Sequence, residues 1–348
     1  MEPRASIIIV SYNNREDITR CLESVRGTAC PAYEVIVVDN ASTDGSADAV
    51  AAGFPEATTV RSSANLGFGG GCNLGATRAR GEFLVFLNPD TVVEQGWLSA
   101  LVNALDANSR VGLVTSKILM LGEPERINTC GNTVHLSGLT LCRGLGASSR
   151  SYQKEEEVDA VSGAAFAIRR DVFQSLGGFD ESMFLYMEDT DLSLRARLAG
   201  WESLFAPQSI VYHDYSLKVF PLKVFYQERN RYLMLLKNFR WATLVALVPV
   251  LLMAEAITWG FVLLYDRRNI WNKLKAYQWT VRNWGAIMNK RQRTQASRKT
   301  GDRDLLRRTS FRLDLGLARQ GLTARIAQSL LDPVFFLLRA VTMAVVRW

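Results

Sequence analysis

Residues 177–193 read Gly-Gly-Phe-Asp-Glu-Ser-Met-Phe-Leu-Tyr-Met-Glu-Asp-Thr-Asp-Leu-Ser. Asp180, Glu181, Glu188, Asp189 and Asp191 are interleaved there with Phe179, Met183, Phe184, Leu185, Tyr186 and Met187. Apolar neighbours desolvate a carboxylate, neighbouring carboxylates repel it, and both raise its pKa. That moves an acid toward work as a general base near neutral pH. On a plain surface helix, Lys or Arg would pair such charges within a turn. Here the first basic residue, Arg195, comes after the cluster. A plainer reading stands beside the catalytic one: Glu-Asp-Thr-Asp as the acidic first turn of a helix running through Leu192 to Leu198, favoured by the helix dipole.

Such a cluster needs a frame. Residues 6–10 and 34–38 are continuous apolar, β-branched runs bounded by polar turns. Runs of that kind suit strands buried on both faces of a parallel sheet. Ile18, Leu22 and Val25 between them have helical spacing, and a further buried strand is expected from Glu82 to Leu87. Residues 111–170 are expected to supply the mixed part of the sheet, with Gly163 inside the run from Val158 to Ile168. Strand, helix, strand order predicts a doubly wound α/β domain, whose ligands lie beyond the carboxyl ends of the strands. Three polar clusters fall at such ends: Ser11 to Asn14, Asp39 to Ser46, and Asn88 to Thr91. Asp39 has a bland alternative as an Asx-type turn, and Asp44 is read as a turn residue. The glycine-rich loop Asn65 to Gly75 misses the G-x-G-x-x-G dinucleotide pattern, because Cys72 stands at the third glycine position.

Taken in order, Ser6 to Asn14, Tyr33 to Ser46, Asn65 to Gly75, Asn88-Pro-Asp-Thr91, Gly177-Gly-Phe-Asp-Glu181 and Glu188-Asp-Thr-Asp191 resemble the motifs of family 2 glycosyltransferases. Within them the chain is similar to the rhamnosyltransferase-like branch. The resemblance covers about residues 5 to 240. It implies an α/β GT-A (Rossmann-like nucleotide-diphospho-sugar transferase) domain, a nucleotide-diphospho-sugar donor, Mg²⁺ or Mn²⁺, and inversion at the anomeric carbon. Asp39 would read the pyrimidine base, with Ser11, Tyr12 and Asn13 lining the same pocket. Asn65, Gly67 and Asn88 would meet the donor. Asp90 would hold the metal where the family's general pattern is Asp-x-Asp, here Asn88-Pro89-Asp90, and His213 would stand near the diphosphate. Asp189 would be the base, assisted by Glu188, with Tyr186 and Asp191 at the acceptor. The branch suggests dTDP-L-rhamnose as donor, and UDP-sugars stay open. Two other classes compete with this reading. A non-catalytic subunit that keeps the fold is disfavoured because Asp39, Asp90 and Asp189 are all present. A sugar nucleotidyltransferase would need a phosphate loop where Ser11-Tyr-Asn-Asn14 stands.

Charge is unevenly distributed in the 348 residues. The net charge is +7, yet residues 289–308 alone carry eight Lys or Arg against Asp302 and Asp304. The expected division is a catalytic domain over 1–238 and a helical, membrane-associated region over 239–348 with a basic linker at 289–308. Trp241 to Tyr265 is long enough to cross a bilayer, but Pro249 and Glu255 interrupt it and basic residues flank both ends. A kinked, re-entrant or in-plane helix with both ends cytosolic fits better, and Leu330 to Val346 reads as an interfacial helix or an oligomer contact. The alternative is two buried helices of a soluble protein. A membrane-facing C-terminus suggests a polyprenyl-diphosphate-linked saccharide as acceptor, membrane lipid as a partner, and the cytoplasmic face of the inner membrane as location. Nucleic acid is not expected, since no base-stacking motif accompanies the basic stretch. Cys21, Cys30, Cys72, Cys130 and Cys142 are scattered without C-x-x-C and read as reduced thiols. The short polar start before the first strand is not expected to be a signal peptide.

Overall fold

The computed structural model describes residues 2–29, 32–215, 221–313 and 322–348. The chain divides into two compact units, Met1–Asn132, Cys142–Ala196 and Trp201–Leu217 in the first, and Thr133–Leu141, Arg197–Gly200 and Lys218–Trp348 in the second. Cys30 lies outside the described residues; Cys21, Cys72, Cys130 and Cys142 form no disulfide with one another.

The strands are β1 (Ala5–Ser11), β2 (Tyr33–Asp39), β3 (Thr58–Arg61), β4 (Phe83–Leu87), β5 (Thr91–Val93), β6 (Val111–Met120), β7 (Ile127–Thr129), β8 (Asn132–Val134), β9 (Thr140–Cys142), β10 (Glu156–Glu157), β11 (Ala165–Arg169) and β12 (Glu202–His213). The main sheet runs β10-β12-β6-β11-β4-β1-β2-β3, with β5 on β12 and β7 on β6, while β8 and β9 form a separate hairpin. β1 pairs in parallel with β2 and β4, and β2 with β3. β11 runs antiparallel to both β4 and β6, which makes the sheet mixed over the expected stretch. In β1, Ile7 and Ile9 enter one core layer and Ile8 and Val10 the other. Both faces are buried, so the strand shows no polar alternation.

Six helices accompany the sheet: α1 (Arg15–Arg26), α2 (Ser46–Gly53), α3 (Gly67–Ala76), α4 (Trp97–Ala107), α5 (Arg170–Ser175) and α6 (Glu188–Leu198). α1 buries Ile18, Cys21, Leu22 and Val25 on one stripe. α3 is glycine-rich, which disfavours a helix intrinsically. Close packing compensates: a Cβ at Gly71 would come within 2.6 Å of Val10 Cγ1, and one at Gly75 within 2.5 Å of Ile8 Cγ2. Gly71 and Gly75 therefore serve helix–strand packing.

The second unit is helical, with α7 (Pro221–Asn238), α8 (Trp241–Ala246), α9 (Val248–Tyr265), α10 (Ile270–Arg282), α11 (Trp284–Ala296), α12 (Asp302–Arg308) and α13 (Leu322–Val345). Pro249 sits in the first turn of α9, where its missing N–H costs nothing, so the break falls at Leu247 between α8 and α9. The expected basic linker at 289–308 is instead mostly helix, contributed by α11 and α12. Its residues satisfy the orphan carbonyls at the end of α7. Arg291 Nη1 donates to Leu236 and Phe239, and Gln295 Nε2 donates to Lys237 and Asn238 at 3.1 and 2.9 Å. Asp302 is fully buried and paired with Arg298. Glu255 joins a buried network in which Arg231 meets both Glu228 and Glu255, and Lys273 Nζ lies 2.9 Å from Glu228 and 3.2 Å from Glu255. Two cations balance two carboxylates there, with Tyr232 and Tyr277 donating to Glu255.

Candidate active site

The carboxyl ends of β1, β2 and β4 converge. Ser11 and Asp39 are register partners, and the Asn40 amide donates to the Ser11 carbonyl at 2.8 Å. Asp39 is 5% exposed, and its Oδ1 is buried without a hydrogen-bond partner. Tyr12 is exposed. Asn13 adopts φ 52° and accepts from the Thr43 amide at 2.8 Å. Asp44 accepts from the Arg15 and Ser46 amides at 3.0 Å each, which makes it the turn residue the sequence indicated.

Asn65 Oδ1 accepts from Asn40 Nδ2 at 3.0 Å and from the Gly67 amide at 2.9 Å, while Asn40 Oδ1 accepts from the Leu66 amide at 2.9 Å. Asn65 therefore uses its oxygen to shape the loop, and Asn40 is a partner the sequence reading missed. Gly67 has φ +72°, and a Cβ there would come 2.2 Å from the Phe184 carbonyl oxygen, which accepts from the Phe68 amide at 2.8 Å. The glycine loop is thus tied directly to the loop that precedes α6.

That loop is strained. Phe184, Tyr186 and Met187 all have φ between 60° and 70°. Non-glycine residues in this region cost on the order of 1–3 kcal/mol each and cluster at functional sites. The loop delivers Glu188 and Asp189 to the start of α6. Glu188 is 6% exposed with Oε2 unpartnered, and burial together with the charge of Asp189 pushes its carboxyl up to about 8. Asp189 keeps partial exposure. Its Oδ2 accepts from the Gly163 amide at 2.7 Å and Asn132 Nδ2 at 3.0 Å. Its Oδ1 accepts from the Thr190 amide at 2.6 Å and Thr190 Oγ1 at 3.2 Å. Desolvation raises its pKa and those donors oppose the rise. Tyr186 is raised to about 12 by burial and by Glu188.

Asp191 does not lie at the acceptor as expected. It is fully buried and accepts from Arg195 Nε at 2.8 Å, four residues on. Arg195 also donates to the Leu176 and Gly178 carbonyls at 2.8 Å each. The cluster is therefore partly paired, and Asp191 fastens α6 to the Gly-Gly-Phe-Asp-Glu turn.

Asn88 donates its amide to the Ala164 carbonyl at 2.9 Å, beside Gly163. Asp90 Oδ1 is buried without a hydrogen-bond partner, and His213 Nε2 lies 3.3 Å from it, within ion-pair reach. His213 Nδ1 is 2.9 Å from Asn128 Oδ1, so Asn128 holds the ring with Nε2 turned to Asp90. No cluster of three or more metal-ligating side chains occurs among the described residues. An Asp–His pair fits a hard cation that takes its remaining oxygens from a ligand diphosphate and water. Asn128 and Asn132 were invisible in the sequence, because nothing local marks an Asn as partner to a residue 85 or 57 positions away.

A mixed sheet whose parallel strands end in polar turns, an Asp–His pair and a carboxylate at a helix start make up the candidate site. Residues 6–177 match the family described as Glycosyl transferase family 2. The chain is 28% identical over 238 residues to the N-acetylglucosaminyl-diphospho-decaprenol L-rhamnosyltransferase of Mycobacterium tuberculosis, covering 60% of this chain and 75% of that protein. It is 31% identical over 226 residues to the O-antigen biosynthesis protein RfbC of Myxococcus xanthus, covering 61% of this chain but 17% of that one. Among solved structures it is similar to GalNAc-T7 crystallised with UDP, GalNAc and Mn²⁺ (TM-score 0.58, 18% identity, 73% of this chain and 54% of that one). It is also similar to S. aureus TarS 1-349 (TM-score 0.54, 17% identity, 99% and 89%). The chain is a glycosyltransferase of GT-A fold whose residues 6–177 form the family 2 match, and it is rhamnosyltransferase-like in sequence.

Proposed function

We propose that this glycosyltransferase moves L-rhamnose from dTDP-L-rhamnose, with inversion, onto a polyprenyl-diphosphate-linked saccharide at the cytoplasmic face of the inner membrane, in assembly of a cell-surface polysaccharide. One observation carries the reading. Among the described residues, the buried carboxylate oxygens lacking a hydrogen-bond partner belong to Asp39, Asp90 and Glu188. All three are residues the motifs single out, and a buried acceptor without a donor is costly unless a ligand completes it. Asp39 Oδ1 suits the N3–H of thymine or uracil. Asp90 and His213 suit a divalent cation, Mg²⁺ or Mn²⁺, which when bound neutralises the charge developing on the leaving diphosphate. Asp189 is the base. Its longest hydrogen bond, from Thr190 Oγ1, is the one an acceptor hydroxyl replaces. The acceptor oxygen forms the new bond to the anomeric carbon, its proton goes to Asp189, and the bond to the diphosphate oxygen breaks with its electron pair leaving on the nucleotide.

The decaprenol relative by its name supports the acceptor, and cysteines without disulfides among the described residues support the compartment. The donor is tested by thermal stabilisation with dTDP, UDP and GDP, each with and without Mg²⁺ or Mn²⁺, because a ligand specific to the folded state raises the melting temperature. Metal-dependent stabilisation by dTDP above the others is expected, followed by transfer from dTDP-L-rhamnose. Stronger stabilisation by UDP discards rhamnose and keeps the enzyme class. No response to any nucleotide overturns the donor site.

A further inference from the structure

The second unit carries two helices whose apolar stripes face outward. Along α8 and α9, Val245, Val248, Leu252, Ala256 and Leu263 are exposed and recur at helical spacing. The opposite stripe of Leu247, Val250, Ala254 and Val262 is buried. Along α13, Leu330, Val334, Leu337, Val341 and Val345 are exposed, while Phe335 and Thr342 face inward and are buried. The two most apolar stretches, Val248–Tyr265 and Gln328–Val345, have mean hydropathy 1.8 and 1.4 with 17% and 11% of their residues buried. An ordinary soluble helix has the reverse pattern.

The geometry points to an anionic lipid bilayer as the occupant of this surface, with α9 and α13 lying in the plane of the interface and neither crossing it. Charge selects the bilayer over a second copy of the chain. Of the fourteen Lys or Arg in residues 266–312, nine are exposed (Arg267, Arg268, Lys275, Arg282, Arg293, Lys299, Arg307, Arg308 and Arg312), against Asp304 as the exposed acid of that stretch. Arg267 and Arg268 are exposed just after the end of α9, and Lys275 and Arg282 are exposed along α10. A two-fold contact would set such a strip near its own image, whereas anionic headgroups neutralise it. Exposed Tyr265 and Trp271 flank Arg267 and Arg268, the aromatic-and-cation junction that suits a headgroup boundary. In-plane docking follows from the buried ion network. Glu255, on the flank of α9's inward stripe, is held by Arg231 and Lys273 from α7 and α10. Spanning would carry those charges and both neighbouring helices into hydrocarbon. α13 likewise contains Pro333 and Arg339.

This inference does not depend on the donor or acceptor proposed above, and nucleotide stabilisation tests that reading separately. The test is flotation of the full chain, freed of detergent, with phosphatidylcholine vesicles and with vesicles one-quarter phosphatidylglycerol. The parent is expected to float with the anionic vesicles. Leu252→Asp combined with Leu337→Asp is expected to lower the bound fraction at least tenfold, with the far-UV spectrum and melting temperature unchanged. Arg267→Glu with Arg268→Glu should weaken binding to anionic vesicles and leave binding to neutral ones unaltered. Cysteines placed singly at Val248 and Tyr265 are then labelled by an impermeant maleimide added outside sealed vesicles, with the parent's labelling subtracted. Equal labelling at both positions supports in-plane docking, and labelling at one end alone means that α9 spans and the inference fails. It fails equally if the chain ignores vesicles and forms a stable oligomer that the two Asp substitutions dissociate.

Discussion

Replacing Arg195 with methionine isolates the structural role assigned to the Asp191–Arg195 pair. The side chains are 0% and 9% exposed, and the guanidinium makes three hydrogen bonds of 2.8 Å, to Asp191, Leu176 and Gly178. Removing one partner of a buried pair leaves an uncompensated charge, at a cost of about 3–5 kcal/mol. Each of the two carbonyls left without its donor adds roughly 1 kcal/mol or more. Arg195→Met should therefore destabilise the protein by about 5–7 kcal/mol, a large share of the 5–15 kcal/mol typical of a domain. The double variant Asp191→Leu, Arg195→Met removes both charges and should recover about 2–4 kcal/mol of that loss. Urea denaturation of the parent, both single variants and the double variant yields the coupling energy directly. A cost below about 1 kcal/mol for Arg195→Met refutes the buried-pair argument. So does an Asp191→Asn variant with parental stability and a raised KM for acceptor alone, which would return Asp191 to the acceptor site.

Other expectations follow from the same geometry. Asp189→Asn should keep nucleotide-induced stabilisation and lose transfer by at least about 10²–10⁴-fold, as for a lost general base; turnover near that of the parent would sink the assignment. Asn128→Ala frees the His213 ring, and a metal titration monitored by melting temperature in the presence of dTDP should show affinity weakened by roughly 10–100-fold. Glu188 is raised from 4.5 to about 8 in the fold. Between those values the unfolded chain has lost a proton that the folded one keeps, so this group's effect on stability becomes unfavourable as pH rises. Glu188→Gln should then match the parent near pH 5 and exceed its stability at pH 8.5 by up to a few kcal/mol, roughly, in paired urea titrations. A gain at pH 5 equal to that at pH 8.5 would refute the protonated, buried state.

The strands of the nucleotide edge were legible as residues 6–10, 34–38 and 82–87, because strands buried on both faces are continuous apolar runs whatever surrounds them. The motif positions followed, since a turn after a strand places Ser11, Asp39 and Asn88 at one edge as soon as the sheet is parallel. The turn chemistry of Asp44 was equally local. What stayed hidden is long-range or compensatory. Asp191 looked like one of several site acids until Arg195 was seen to close on it inside the protein, a distinction made by burial rather than by spacing. Residues 289–308 looked like a basic linker until α7 offered the unsatisfied carbonyls that their side chains cap. Glu255 looked like an interruption of an apolar helix until Arg231 and Lys273 met it. Sequence alone determined which residues carry charge, apolar surface and turn propensity, because those are properties of single residues and short windows. Only the tertiary structure decided which of the charges are paired, since pairing depends on which distant groups the packed elements bring within hydrogen-bond reach.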